Sequence, residues 1–182
     1  MNELYVTAVG HVEEDALRWV EAAATEWFPF PVRRLHAIDA PESSWDPARR
    51  QYHSVEIMKA LVRNLPKGAA RLLGVTGYDL SIPLLTFLFG QAQLDGPVAL
   101  VSIHRLRQEF YGMPPDPALL RERLTKEMLH ELGHTFALTH CSRQSCAMSL
   151  STHIELVDTK NAGWCEVCGA HLARRFASLK GV

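Results

Sequence analysis

All four cysteines of this 182-residue chain, Cys141, Cys146, Cys165 and Cys168, fall in its last quarter. They form two short-spaced pairs, Cys-x4-Cys and Cys-x2-Cys, and no other feature restricts the fold as strongly. Each such pair spans one edge of a tetrahedron, so the chain between the pairs closes as a loop on a single zinc ion. Four protein ligands leave no open position. Such a site is structural, and its binding energy contributes to folding of that segment. Two disulfides or free buried thiols are the alternatives. The start of the chain, Met1 to Tyr5, has neither the basic stretch nor the long apolar stretch of a secretory signal. A cytoplasmic protein is therefore expected; its thiols stay reduced, which favours a metal over cross-links.

Just before the cysteines stands His130-Glu131-Leu132-Gly133-His134. On a helix, positions i and i+4 share a face, so both imidazoles can grip one ion. Glu131 sits beside that ion rather than on it, where it can take a proton from bound water. His140, six residues past His134, supplies a third ligand if the helix ends and the chain turns back. The fourth position then holds water, as hydrolytic zinc sites require. The alternative is a helix with two surface histidines and a surface carboxylate. Cys141 follows His140 directly, so an ion on Cys141 fixes the backbone that aims His140. The two sites are expected to be mechanically coupled.

Upstream the pattern reads as one α/β (α+β) domain, a mixed twisted sheet with covering helices. Leu4 to Val9 is a strand and Glu13 to Phe28 an amphipathic helix, ended by Pro29 and Pro31. Val32 to Ile38 is a second strand. Asp46-Pro47 reads as a capped helix start running to about Leu65, and Ala70 to Val75 as a third strand. Leu84 to Phe89 and Val98 to Leu106 read as a hairpin around the turn Asp95-Gly96-Pro97. A long helix opens with Asp116 as cap and Pro117 in its first position; Leu120, Leu124, Met128, Leu132 and Phe136 make its buried stripe. Regularity then fades until a final helix, Cys168 to Leu179. With 19 Lys+Arg against 20 Asp+Glu there is no positive field to gather nucleic acid. Arg174, Arg175 and Lys180 are too few for a zinc nucleic-acid module. The longest apolar stretch, around Ile82 to Phe89, is broken by Pro83 and Thr86 and is too short to cross a membrane.

With these residues assembled, the sequence resembles the metzincin zinc peptidases, whose motif is His-Glu-x-x-His-x-x-Gly-x-x-His with a later methionine turn. More narrowly it is similar to the archaemetzincins. Their signature runs from the third histidine into a cysteine, then Cys-x-Met and Cys-x-x-Cys. Cys141, Cys146-Ala147-Met148 and Cys165-Glu166-Val167-Cys168 match it. The resemblance implies a metzincin-like fold in which residues 1–136 end in the active-site helix and 137–182 form an irregular, zinc-bound C-terminal subdomain. It implies a monomeric zinc peptidase with Met148 beneath a catalytic zinc on His130, His134 and His140, and a second, structural zinc on the four cysteines. Glu131 would be general base and acid, with a peptide or protein as substrate and aminopeptidase-like action as one form. An edge strand above the helix would pair with substrate backbone, either Leu84 to Phe89 or Val98 to Leu106.

Two departures stand out. Ala137 occupies the family's glycine position, where a left-handed turn ends the helix and a Cβ costs roughly 1 kcal/mol or more. The tyrosine some metzincins place near the methionine turn is missing, the last tyrosine being Tyr111, and His153 is the nearest alternative. Ala137 and the missing tyrosine leave a second reading, a non-catalytic zinc-stabilised peptide-binding module. The intact Glu131, which a pure binder does not need, weighs against it.

Overall fold

The computed structural model describes residues 2–180. In chain order it contains β1 (Glu3–Val9), α1 (Glu14–Trp27), β2 (Val32–Arg34), β3 (Trp45–Asp46), β4 (Gln51–His53), α2 (Ser54–Arg63) and β5 (Ala69–Thr76). β6 (Leu80–Ile82), β7 (Leu85–Leu88), β8 (Gly90–Ala92), β9 (Val98–Ser102), α3 (Pro117–Thr135), α4 (Ile154–Thr159) and α5 (Glu166–Lys180) follow. The main sheet has the order β2-β1-β5-β9-β8, parallel except for the antiparallel edge strand β8. A smaller sheet, β3-β4-β6-β7, lies beside it.

The period-2 alternation of the central strands divides their side chains between two cores. Leu4, Val6, Leu73, Val75, Ala99 and Val101 face α1 and α3. Leu72, Val98 and Leu100 face Ile57 and Leu61 of α2, with Leu80 of the small sheet. Cys146, Ala147, Met148, Ile154 and Leu172 belong to the first core. The C-terminal segment is thus packed into the domain, and its irregular course follows from that packing and the cysteine cluster.

Several elements differ from the sequence expectations. Asp46-Pro47 does not open a helix. Asp46 Oδ1 accepts from the backbone N–H groups of Ala48 (3.0 Å) and Arg49 (3.1 Å), so the cap is real, but it closes a turn. Arg50 then takes φ 54, which breaks any helix there, and the helix starts at Ser54, eight residues after Asp46. The strand at Val32 is short, with only an isolated bridge from Val9 to Ile38 beyond it. The strand at Val98 ends at Ser102, and residues 104–106 form a 3-10 turn. The hairpin partner of β9 is β8, while Leu85–Leu88 joins the small sheet. α4 interrupts the stretch read as irregular.

Candidate active site

α3 carries the site, and its ends are closely specified. Asp116 Oδ1 accepts from the backbone N–H of Leu119 at 3.0 Å, with Pro117 in the first turn. At the other end every late carbonyl finds a donor. The Leu132 carbonyl accepts from Thr135 Oγ1, that of His134 from the Asp95 N–H, and that of Thr135 from Arg71 Nε and Nη2. Arg71 also lies over the Phe136 ring, 4.1 Å from its centroid. The Ala137 N–H bonds the His134 carbonyl (3.0 Å) and the Leu138 N–H bonds that of Gly133 (3.1 Å), the two bonds of a Schellman turn. Ala137 sits at its left-handed position with φ 68. The turn is kept despite the Cβ, so the chain does reverse toward His140.

That reversal turns the Leu138 carbonyl onto His134, whose Nδ1 donates to it at 2.7 Å. His130 Nδ1 donates to the Ala147 carbonyl at 2.8 Å. Carbonyls only accept, so both rings carry their proton on Nδ1 and present a bare Nε2. The two Nε2 atoms lie 3.0 Å apart. Two lone pairs this close repel each other without a cation between them, and a tetrahedral zinc on imidazole nitrogens holds its ligands about 3.3 Å apart. His140 joins them; one donor atom from each of the three lies within 4.8 Å of the others. Burial lowers the pKa of all three imidazoles, which keeps them in the neutral, ligating form. This donor set fits zinc.

Beside the histidines Glu131 is buried, and burial, reinforced by Glu127, pushes its carboxyl well above the usual carboxylate range. Gly90 of β8 makes the space for it. A Cβ there would lie 2.6 Å from both Cγ and Oε1 of Glu131. Gly133, inside the His-Glu-x-x-His run, likewise leaves room for the Met148 sulfur. One turn before Glu131 on the same helix, Glu127 accepts from Lys160 Nζ at 2.8 Å, and both side chains are buried.

The four cysteines converge as a second group, again with their sulfurs within 4.8 Å of one another. The Cys141 and Cys165 sulfurs are 3.8 Å apart, too far for a disulfide and close to the roughly 3.8 Å edge of a tetrahedron of Zn–S bonds. The backbone N–H groups of Arg143 and Cys165 point at the sulfurs of Cys141 and Cys146. Bonds of this kind stabilise thiolate. The N–H of Cys168 and the neighbouring thiols bring Cys165 down to about 7, whereas burial raises Cys146 and Cys168.

A cleft of about 570 Å³ opens over the histidines. The strip 85–92 lines one side, Glu127, His130, Glu131 and His134 the helix side, and residues 139–140 and 150–152 the remainder. Phe89, Gln91 and Gln93 direct their backbone bonds at β9, so the N–H and C=O groups of Gly90 and Ala92 point outward from the sheet edge.

Residues 43–174 match Peptidase family M54. The chain is 38% identical to the archaemetzincin of Methanocaldococcus jannaschii over 163 residues, 90% of this chain and 88% of the relative. It is 40% identical to that of Thermococcus kodakarensis, over 96% of this chain and 97% of the relative. Among solved structures, the archaemetzincin of Methanopyrus kandleri superposes with a TM-score of 0.83 at 34% identity, covering 97% of this chain and 96% of that one. A zinc-dependent peptidase from Methanocorpusculum labreanum superposes with a TM-score of 0.84 at 30% identity, covering 93% and 99%. This chain belongs to the archaemetzincins.

Membership makes the chain a zinc metallopeptidase with the mixed α/β archaemetzincin fold. Within that frame, the archaemetzincin signature residues assemble as two separate groups, three histidines and four cysteines. Val98–Ser102 is an interior strand, so the edge beside the cleft is 85–92, including β8. His153 is exposed and stands outside the cleft lining; its Nδ1 meets Thr152 Oγ1 at 3.1 Å. Tyr111 is also outside the lining, its hydroxyl donating to the Arg105 carbonyl. Sequence reasoning missed Glu127, Lys160, Arg71 and Gly90. Only Glu127 left a signal, as a carboxylate one helical turn before Glu131.

Proposed function

We propose that the chain hydrolyses peptide bonds in the cleft, with Glu131 as general base and then general acid. His130, His134 and His140 would hold the catalytic zinc, and Cys141, Cys146, Cys165 and Cys168 a second, structural zinc, giving two ions per chain. Bound zinc supplies Lewis acidity, lowering the pKa of water and polarising the carbonyl to be attacked. The chain's own residues do the rest. The Ala147 and Leu138 carbonyls fix the tautomer of His130 and His134, so each offers Nε2. An extended peptide aligns on the outward groups of Gly90 and Ala92 as an added antiparallel strand. The Glu131 carboxylate accepts the proton from the attacking water and returns it to the leaving amine nitrogen. Its elevated proton affinity suits both halves of that transfer. Met148 packs against Gly133, on the turn of helix between His130 and His134.

The observation that carries this reading is the convergence of two Nδ1-anchored imidazoles of one helix with a buried carboxylate beside them, all lining one open cleft. The experiment is cleavage of a mixed peptide library by zinc-loaded protein, read by mass spectrometry beside Glu131→Ala. The expected result is cuts in the wild type only, with zinc content equal in both proteins. Equal cutting by the variant would sink the mechanism.

A further inference from the structure

We infer that the ion pairs joining α3 to α4, Glu127 with Lys160 and Arg123 with Asp158, are positioning residues that set the width of the cleft. This deepens the peptidase reading above and rests on it. The wall they control is residues 150–152, which line the cleft together with the histidines. Among the described residues, Leu150, Ser151 and Thr152 make no backbone hydrogen bond to any other backbone group. The place of this wall is therefore set by what flanks it. Before it stands Met148, fully buried, whose carbonyl accepts from the Cys141 N–H. After it comes α4, which begins at Ile154.

With six residues α4 is too short to hold its own conformation. Ile154 and Val157 bury its apolar side, and polar ties from α3 fix where it sits. Arg123 forks onto both carboxylate oxygens of Asp158, at 2.7 Å each, and its third donor reaches the Leu106 carbonyl at 3.0 Å. Lys126 Nζ donates to the Asp158 carbonyl at 3.3 Å, and Glu127 accepts from Lys160 Nζ at 2.8 Å. All three α3 residues are buried, on the turns just before His130 and Glu131, so the helix that carries the ligands also carries the wall. Apolar burial is non-directional and tolerates sliding. A buried ion pair does not, because its attraction offsets desolvation only in close, hydrogen-bonded geometry. Well-packed apolar side chains in place of both charges often stabilise a fold as well or better, so stability does not account for Glu127 with Lys160. What the pair adds is one fixed spacing between α3 and the end of α4, and with it one position for residues 150–152.

The test uses zinc-loaded full-length protein and a peptide that the wild type cuts, or binds where it cuts none. It compares the double variant Glu127→Leu with Lys160→Met and the single variant Asp158→Asn. Zinc per chain, thermal midpoint, KM and kcat are measured on each, with equilibrium binding of the peptide in a Glu131→Gln background. The double variant should hold as much zinc as the wild type and melt at a similar temperature. Its KM and Kd should rise about tenfold while kcat changes less than about twofold, because the wall touches the peptide in ground and transition states alike. Asp158→Asn keeps a neutral acceptor for Arg123 at a side chain 37% exposed, and should raise KM about threefold. This milder variant decides the matter if the double variant does not fold. Unchanged KM and Kd in the folded variants would overturn the inference, as would a peptide neither cut nor bound by the wild type. Loss of zinc in either variant would overturn it too, since the pairs would then support the ligands and not the wall. Wild-type KM and kcat in both variants sink the positioning and leave the mechanism. Binding without cutting, weakened in the variants, sinks the mechanism and leaves the positioning.

Discussion

Ala137 carries a Cβ in the left-handed region, at the one position of the helix end where glycine is at ease. The turn survives because its neighbours demand it. Leu138 must bond the Gly133 carbonyl and offer its own carbonyl to His134, and Arg71 and Asp95 occupy the other late carbonyls of α3. The strain is therefore stored locally, at about 1 kcal/mol. Ala137→Gly should raise stability by about that amount, seen as a higher urea midpoint at unchanged slope, with zinc content and cleavage rate unaltered. A lower midpoint would mean that the turn is not in this conformation. Arg71 works in the opposite sense. Arg71→Met should cost about 2 kcal/mol, because it strips the buried Thr135 carbonyl of both its side-chain donors, and the loss should appear in the same unfolding curves.

Among the elements, the rim of the cleft depends on side chains rather than on its own ladder. β7 pairs on one side only, and the strip it opens leads directly into β8. Arg105 braces it from beneath, its guanidinium 4.3 Å from the Phe87 centroid and 4.6 Å from that of Phe110. Asp79 receives both Arg105 Nε and Nη2, and Gln51 Nε2 bonds both Asp79 and the Thr86 carbonyl. Burial alone would raise the Asp79 carboxyl, but the Arg105 and Gln51 bonds outweigh it and hold the carboxyl below 3.8. The unfolded chain therefore takes up this proton at a higher pH than the folded one. The stabilisation is complete above pH 3.8 and is lost as pH falls through the folded value. Asp79→Asn should cost about 2 kcal/mol at neutral pH and flatten the acid limb of stability, while raising KM more than it lowers kcat. An unchanged acid limb would show that the ion pair does not support the rim.

The same scale explains what could be read from sequence. β1, α1, β5 and α3 were legible because their periodicity reports directly on two faces of one sheet. β8 was not, because Gly90 reads locally as a turn, whereas it is glycine for the sake of Glu131, forty-one residues later. The second helix was misplaced by a real signal. Asp46 does cap the next two N–H groups, and the left-handed backbone of Arg50 turns the chain away from a helix. That the three histidines come together, and the four cysteines likewise, was legible because their spacing along the chain is a local property. Glu127 with Lys160 and Arg71 with Thr135 were hidden because their partners meet only in the folded protein.

Across the whole molecule the histidine group and the cysteine group, each proposed to hold a zinc, share one piece of backbone, and they share it unequally. The Ala147 carbonyl that orients His130 lies between Cys146 and Met148, and the Cys141 N–H bonds the Met148 carbonyl at 2.9 Å. The Ala147 N–H reaches the Gly163 carbonyl and the Asn161 N–H that of Ser145, so this loop is held both by the cysteine cluster and by the segment leading into α5. The histidines have no comparable hold on the cysteines: His130 and His134 stand on a helix that is capped, buried and bonded at both ends without any metal. Loss of the cysteine site should therefore weaken the histidine site, and loss of the histidine site should leave the cysteine site intact. The paired variant Cys165→Ser with Cys168→Ser is expected to bind fewer than one zinc per chain, to unfold several degrees lower and to lose cleavage. His134→Ala is expected to lose cleavage and one zinc while the other ion stays bound, with a melting temperature close to the wild type. Zinc per chain and thermal unfolding, measured together on both proteins, decide the matter. If the cysteine variant kept a full histidine-site ion, the shared backbone would not be transmitting between the sites, and the placing of Cys141 next to His140 would have no mechanical consequence.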